Sequence, residues 1–221
     1  MADKLREWPT SGATTPVAAR PVGVVWDLGN VLIEWDPHSA IAAGVGEDEA
    51  RRFLAAEDFD FMAYNHGPDS GMAWDDVEAE VERTHPHWAE HARAYRAHFV
   101  RSLLGEVPGT VDIVRDLHAV GVPMWGLTNW SEELYPHAPA GFAFLGLLED
   151  VVVSGTEGVA KPDPAVFEVV RRRTGQALDR LVFVDDNAAN VAAGATAGLD
   201  AIRFTDAGTL RIELRERGLP V

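Results

Sequence analysis

Five short apolar runs constrain this chain more than any other feature. They span residues 22–27, 122–127, 151–153, 181–184 and 201–204, and four of them run into polar residues or a turn. Continuous apolar runs of this length suit strands covered on both faces, as in a parallel sheet. From Pro108-Gly109 onward the runs alternate with helical patterns at about 110–119, 164–173, 188–197 and 207–217. That alternation predicts an α/β fold, a Rossmann-like doubly wound parallel sheet. Gly121 stands where a helix-ending glycine belongs, and the Ala- and Gly-rich stretch 188–197 suits close packing on a sheet. A further helix is expected from Ser131, which Glu132 and Glu133 follow.

Between the first run and Pro108 the character changes. Trp35-Asp36-Pro37 marks a break, because proline disfavours helix in the residue before it. Residues 38–104 then show no strand-like run. Trp74-Val77-Val81 and Trp88-Ala92-Tyr95-Phe99-Leu103 fall on single helix faces, and Glu47-Asp48-Glu49 complements the dipole of a helix first turn. Asn65 to Gly71, with His66, Gly67 and Pro68, reads as a loop between helices. The expected division is a flexible tail over 1–20, a core of 21–37 and 105–221, and a helical insert over 38–104.

Composition excludes several classes. The chain has 221 residues, 47% of them hydrophobic, which is ample for one core and a small accessory domain. It has no cysteine, hence no disulfide, thiolate zinc site or cysteine nucleophile. No apolar run approaches membrane-span length, and the first residues lack the apolar centre of a secretory signal. A cytoplasmic protein is the expectation. The formal charge of -16, from 35 acids against 19 Lys and Arg, argues against nucleic acid as partner. It argues only weakly against an anionic substrate. Screening over about 8 Å at physiological salt leaves a local lysine or divalent cation in command. Oligomeric state is not readable from the sequence.

The chemistry-bearing residues recur at expected strand ends: Asp27, Thr128-Asn129, Lys161 soon after a strand, and Asp185-Asp186. In a parallel sheet those ends open on one edge, where ligands bind. Asp27 alone could merely end a strand, and Gly29 two residues on is expected to let the backbone turn. Three converging carboxylates repel one another unless a cation sits among them. An all-oxygen donor set favours a hard ion such as magnesium. A lysine that orients the carboxylate, with a threonine hydroxyl and amide N–H groups for phosphoryl oxygens, completes the parts of an aspartyl nucleophile in phosphoryl transfer.

With these motifs in hand, residues 21–221 resemble the haloacid dehalogenase-like hydrolase superfamily. The resemblance rests on Trp26-Asp27-Leu28-Gly29-Asn30-Val31, Leu127-Thr128-Asn129, Lys161-Pro162-Asp163-Pro164 and Val184-Asp185-Asp186-Asn187 with Asn190, in that order. The helical insert looks like that of the subclass with a helical cap. The resemblance implies Asp27 as nucleophile, Thr128 and the Asn129 amide as binders of the transferring group, and Lys161 as holder of Asp27 and phosphate. It implies Asp186 as a direct magnesium ligand, with Asp185 acting through water or as its partner. The carbonyl of Gly29 would be a further ligand.

Gly29 departs from the family's pattern, whose phosphatases usually have a general acid/base aspartate there. Loss of such a group typically costs about 10²–10⁴-fold, which favours leaving groups that need little protonation, such as sugar 1-phosphates or aryl phosphates. The resemblance therefore implies a magnesium-dependent phosphatase of a small phosphorylated metabolite. Two alternatives stand beside it. One is a metal-independent 2-haloacid dehalogenase, against which Asp185-Asp186 would repel a carboxylate substrate. The other is a catalytically weak phosphate-binding or regulatory relative. Trp130 is a candidate for the substrate pocket, and Phe59, Phe61, Met62 and Tyr64 either shape specificity or pack the insert. His85, His87 and His91 read as a histidine-rich surface rather than a metal cluster.

Overall fold

The computed structural model describes residues 21–221, so the tail expected over residues 1–20 lies outside the described residues. Strand β1 (Gly23–Trp26) is followed by β2 (Ile33–Trp35). Helices α1 (Pro37–Val45), α2 (Glu47–Leu54), α3 (Phe61–Asp69), α4 (Trp74–Thr84) and α5 (Ala89–Ala97) come next, before β3 (Leu103–Glu106). The chain continues through α6 (Thr110–Ala119), β4 (Met124–Thr128), α7 (His137–Gly141), β5 (Asp150–Val153), α8 (Ser154–Glu157) and α9 (Pro164–Thr174). It ends with β6 (Leu181–Asp185), α10 (Ala188–Ala197), β7 (Asp200–Arg203) and α11 (Ala207–Glu216). Among the described residues no helix is long and apolar enough to cross a membrane.

The main sheet has the order β5-β4-β1-β6-β7 and is parallel throughout. Successive β1 residues point to opposite faces, and both faces are covered. Val24 and Trp26 join Val111, Ile113 and Val114 of α6 and Leu210 and Leu214 of α11. Val25 and Phe183 face Val166, Phe167 and Val170 of α9. All four β1 residues are buried, and fully burying an aliphatic side chain is worth about 1.5–3 kcal/mol. Two-sided burial is why these strands read as unbroken apolar runs rather than alternating ones. Helix α10 lies so close to the sheet that a Cβ on Gly194 would come within 2.7 Å of the Phe183 ring.

Several elements differ from the sequence reading. Strands β2 and β3 pair antiparallel, Ile33 opposite Glu106. This ribbon carries the chain out to α1–α5 and back, and three- and four-residue strands are too short to show a period of two. The expected loop over 65–71 is instead mostly helix. The Asp60 side chain accepts from Ala63 N at 3.0 Å and caps α3, while Pro68 enters only its last turn, leaving the end to Gly71 at φ 95°. The helix expected from Ser131 closes a single turn, Tyr135 N to Ser131 O at 3.0 Å, before Pro136, which has no N–H to continue it. The turn after Asp27 is made by Asn30 at φ 56°, whose Oδ1 accepts from Trp35 N, and not by Gly29.

Candidate active site

Asp27, Thr128, Asp185 and Asp186 stand at the carboxyl ends of β1, β4 and β6, neighbours in the sheet, and so meet on one edge. Asp27 still belongs to the ladder, its N–H bonded to Val184 O at 2.8 Å, and one of its oxygens accepts from Leu28 N at 2.7 Å. Lys161 reaches in from the loop between α8 and α9. Its ammonium lies 2.8 Å from Asp27 Oδ1 and donates to Asp185 Oδ2 at 2.7 Å and Leu127 O at 2.9 Å. An ammonium has three donors, so Lys161 is fully committed within the protein. Only 2% of it is exposed.

Asn129 fixes that lysine's backbone. Its Nδ2 donates to Lys161 O and its Oδ1 accepts from Lys161 N, both at 2.8 Å. These two bonds hold the side chain of Asn129 in place against the lysine backbone. Asp185 is also saturated. Besides Lys161 it accepts from Asn187 N at 2.8 Å and from Asn190 Nδ2 at 3.1 and 3.2 Å, with no exposed surface. Asn190 is thus the residue that holds Asp185 in place. Asp186 is half-buried and lines the open space above the strand ends.

The electrostatics of this edge are severe. Asp27, Asp185 and Asp186 each bring an oxygen within 4.8 Å of the others. At an effective dielectric of about 20, each such pair of full charges repels by at least about 3 kcal/mol, and one lysine neutralises one of three. Burial pushes the Asp27 carboxyl up to about 7, with Asp185 and Asp186 adding to the rise and Lys161 opposing it. Burial and then Asp185 raise Asp186. Burial alone would lower the Lys161 ammonium, but Asp27 and Asp185 outweigh it and hold it above its ordinary value. The cluster is short of positive charge, and its all-oxygen donors at this spacing fit a hard divalent cation such as magnesium.

A cavity of about 770 Å³ opens on this cluster, and Gly29, Thr128, Asn129, Trp130, Lys161 and Asp186 all border it. Its opposite wall comes from the helical segment, including Asp60, Met62, Asp69, Trp74 and Tyr95. Phe59, Phe61 and Tyr64 pack instead against one another and Phe53. The wall is tied to the residues just beyond Asn129. Trp74 Nε1 donates to Ser131 Oγ at 3.0 Å, Arg96 pairs with Glu133 through two bonds of 2.7 and 2.8 Å, and the Phe99 and Trp130 rings meet edge-on. Nothing lies within 4 Å of a Cβ built on Gly29, so the backbone does not demand glycine there. The histidines show no cluster of metal ligands among the described residues. His87 pairs with Asp58 and His91 with Glu49.

Asp69 carried no signal in the sequence, because it sat in what read as a loop. It is 8% exposed, accepts from Asn65 Nδ2 at 2.9 Å and from the Ser131 N–H, and burial raises its carboxyl to about 7.

This chain belongs to the haloacid dehalogenase-like hydrolases, whose family model matches residues 22–198. It is therefore a hydrolase. Among curated proteins it is 27% identical over 104 residues to the sesquiterpene phosphatase astK of Aspergillus oryzae (strain ATCC 42149 / RIB 40), a match over 47% of this chain and 53% of that protein. The matched stretch thus spans about half the length of that relative. Among solved structures it resembles a predicted hydrolase of this family from Porphyromonas gingivalis, with TM-score 0.66, 21% identity, and 92% and 100% of the two chains covered. A family enzyme from Bacteroides thetaiotaomicron, solved with magnesium and inorganic phosphate, gives TM-score 0.65 at 16% identity over 84% and 95%. The L-2-haloacid dehalogenase of Xanthobacter autotrophicus, with chloropropionic acid covalently bound, gives 0.58 at 17% over 91% and 85%. At these identities the solved structures establish the fold.

Proposed function

We propose that this hydrolase is a magnesium-dependent phosphatase of small phosphorylated metabolites, which passes the phosphoryl group through Asp27. The reading rests on one observation, the convergence of three carboxylates around a single saturated lysine. That excess of negative charge suits a site completed by a divalent cation and a phosphate, and suits poorly a bare carboxylate substrate. The named phosphatase among its relatives and the neighbour solved with magnesium and phosphate support the same choice.

Asp27, Asp186 and the carbonyl of Gly29 would hold the ion, with Asp185 behind them, since its oxygens already accept from Lys161, Asn187 and Asn190. When bound, the ion neutralises the carboxylates and the phosphoryl oxygens. The free oxygen of Asp27 attacks phosphorus. The bond from phosphorus to the ester oxygen breaks, and its electron pair leaves with that oxygen. Lys161 and the Leu28 N–H keep Asp27 aimed, while the Thr128 hydroxyl and the Asn129 N–H receive phosphoryl oxygens. Water then hydrolyses the aspartyl phosphate, releasing phosphate and restoring Asp27. Gly29 supplies no proton to the departing oxygen, so leaving groups stable as anions are favoured. The segment 38–104 acts as a helical cap over the core of 21–37 and 105–221, excluding water during attack.

Chelation separates this reading from its rival. EDTA should abolish hydrolysis of p-nitrophenyl phosphate and added magnesium restore it. Chloride release from 2-chloropropionate that survives EDTA would replace the phosphatase with a dehalogenase.

A further inference from the structure

The two faces of the cavity carry opposite provision for charge. Lys161 and Arg203, its only Lys and Arg among the described residues, both belong to the sheet side, where Arg203 stands in register with Asp185 on the neighbouring strand. The helical wall contributes Asp60 and Asp69 and neither Lys nor Arg. Asp69 is nine-tenths buried, fixed by Asn65 and the Ser131 N–H, and shares the cavity wall with Trp74 and Tyr95. A phosphate held over Asp27 would send the rest of the molecule toward this wall.

We propose that Asp69 is a specificity-determining residue, which favours phosphomonoesters whose leaving group is uncharged, most of all one that carries hydroxyl donors, and which rejects a second anion. This inference rests on the phosphatase reading. Above about pH 7, where Asp69 is ionised, a second negative charge directed at the wall meets a buried carboxylate with no Lys or Arg beside it. Among the described residues the wall's one basic group, His66, is exposed and bonded to Ser70, and burial of an unpaired charge is heavily disfavoured. A hydroxyl in the same place finds an acceptor in Asp69 and apolar surface on Trp74 and Tyr95. Asp60 adds to the effect, but it is exposed and already caps α3, so solvent screens its charge.

The test uses two probes of equal size, glycerol 3-phosphate and 3-phosphoglycerate, which differ by a hydroxymethyl group against a carboxylate. Each is measured as a competitor of p-nitrophenyl phosphate hydrolysis in the presence of magnesium at about pH 8.5, where Asp69 is ionised. Wild type should bind glycerol 3-phosphate at least about tenfold tighter, the scale of one charge pair across a few ångströms that solvent still largely screens. Asp69→Asn should bring the two inhibition constants within about threefold, and Asp60→Asn should narrow them less. A purely structural role for Asp69 would shift both constants together and leave their ratio alone. Equal constants in wild type, no inhibition by either probe, or a ratio unmoved in Asp69→Asn overturns the proposal. The wild-type ratio decides even if that variant does not fold. Failure to hydrolyse p-nitrophenyl phosphate at all would instead sink the phosphatase reading.

Discussion

The floor and the wall of the Asp27 cavity are built on different principles. On the floor, charged groups are locked by one another. Lys161 binds two carboxylates and a carbonyl within 2.9 Å, and Asn129 and Asn190 hold Lys161 and Asp185 from either side. On the wall, Trp74, Tyr95 and Phe99 line the cavity together with a single buried acid, and the contacts back to the sheet run through Ser131, Trp130 and Glu133. A floor locked in this way performs the same chemistry whatever stands above it. A wall set on separate helices can change its side chains without disturbing the strand ends, which suits it to the substrate-selecting part proposed for it.

The largest expected effect strikes the floor. Asp27→Asn should lower phosphatase turnover by about 10⁴-fold or more, as loss of a covalent nucleophile does, and acid quenching should no longer trap phosphate on the protein. An undiminished rate would dissolve the contrast, since the floor would then not carry the reaction. Next comes the boundary between the two regions. Gly29→Asp meets open space, and should accelerate alkyl phosphates by about 10–10²-fold relative to p-nitrophenyl phosphate, part of what a general acid typically contributes. Equal gains on both leaving groups would show that proton donation is not what Gly29 lacks.

The third effect lies in the wall and concerns stability rather than rate. Because burial raises Asp69 to about 7 in the fold, its ionisation costs stability as pH rises from the unfolded carboxyl range through about 7. Below that range the cost vanishes, and above about 7 it is complete. Asp69→Asn removes this term. In denaturant unfolding it should be more stable than wild type at pH 8 by a few kcal/mol, at about 1.4 kcal/mol per pKa unit, with the advantage shrinking toward pH 5. A pH-independent difference would mean that the wall does not hold a strained acid.

Much of the floor was legible in the sequence because its residues follow strands. An apolar run that stops at Asp27, Thr128 or Asp185 announces both a buried strand and the position of the polar group at its end. Helix α6 was legible for a related reason, Thr110–Ala119 being periodic and closed by Gly121 at φ 76°. The β2–β3 ribbon and α3 were not. Three or four residues carry no readable period, and Gly67-Pro68 in a last helical turn resembles a loop signal. The wall residue Asp69 gave no sign at all.

The sequence by itself determined the parallel α/β order and the carboxylates at its edge, because burial on both faces and chain polarity are local, one-dimensional constraints. Only the tertiary structure decided that Lys161 spends all three donors inside the protein, that Asn129 serves Lys161 with its side chain, and that Asp69 faces the cavity from the far wall. Those facts depend on which distant groups compete for the same hydrogen bonds, and that competition exists only once the chain has closed on itself.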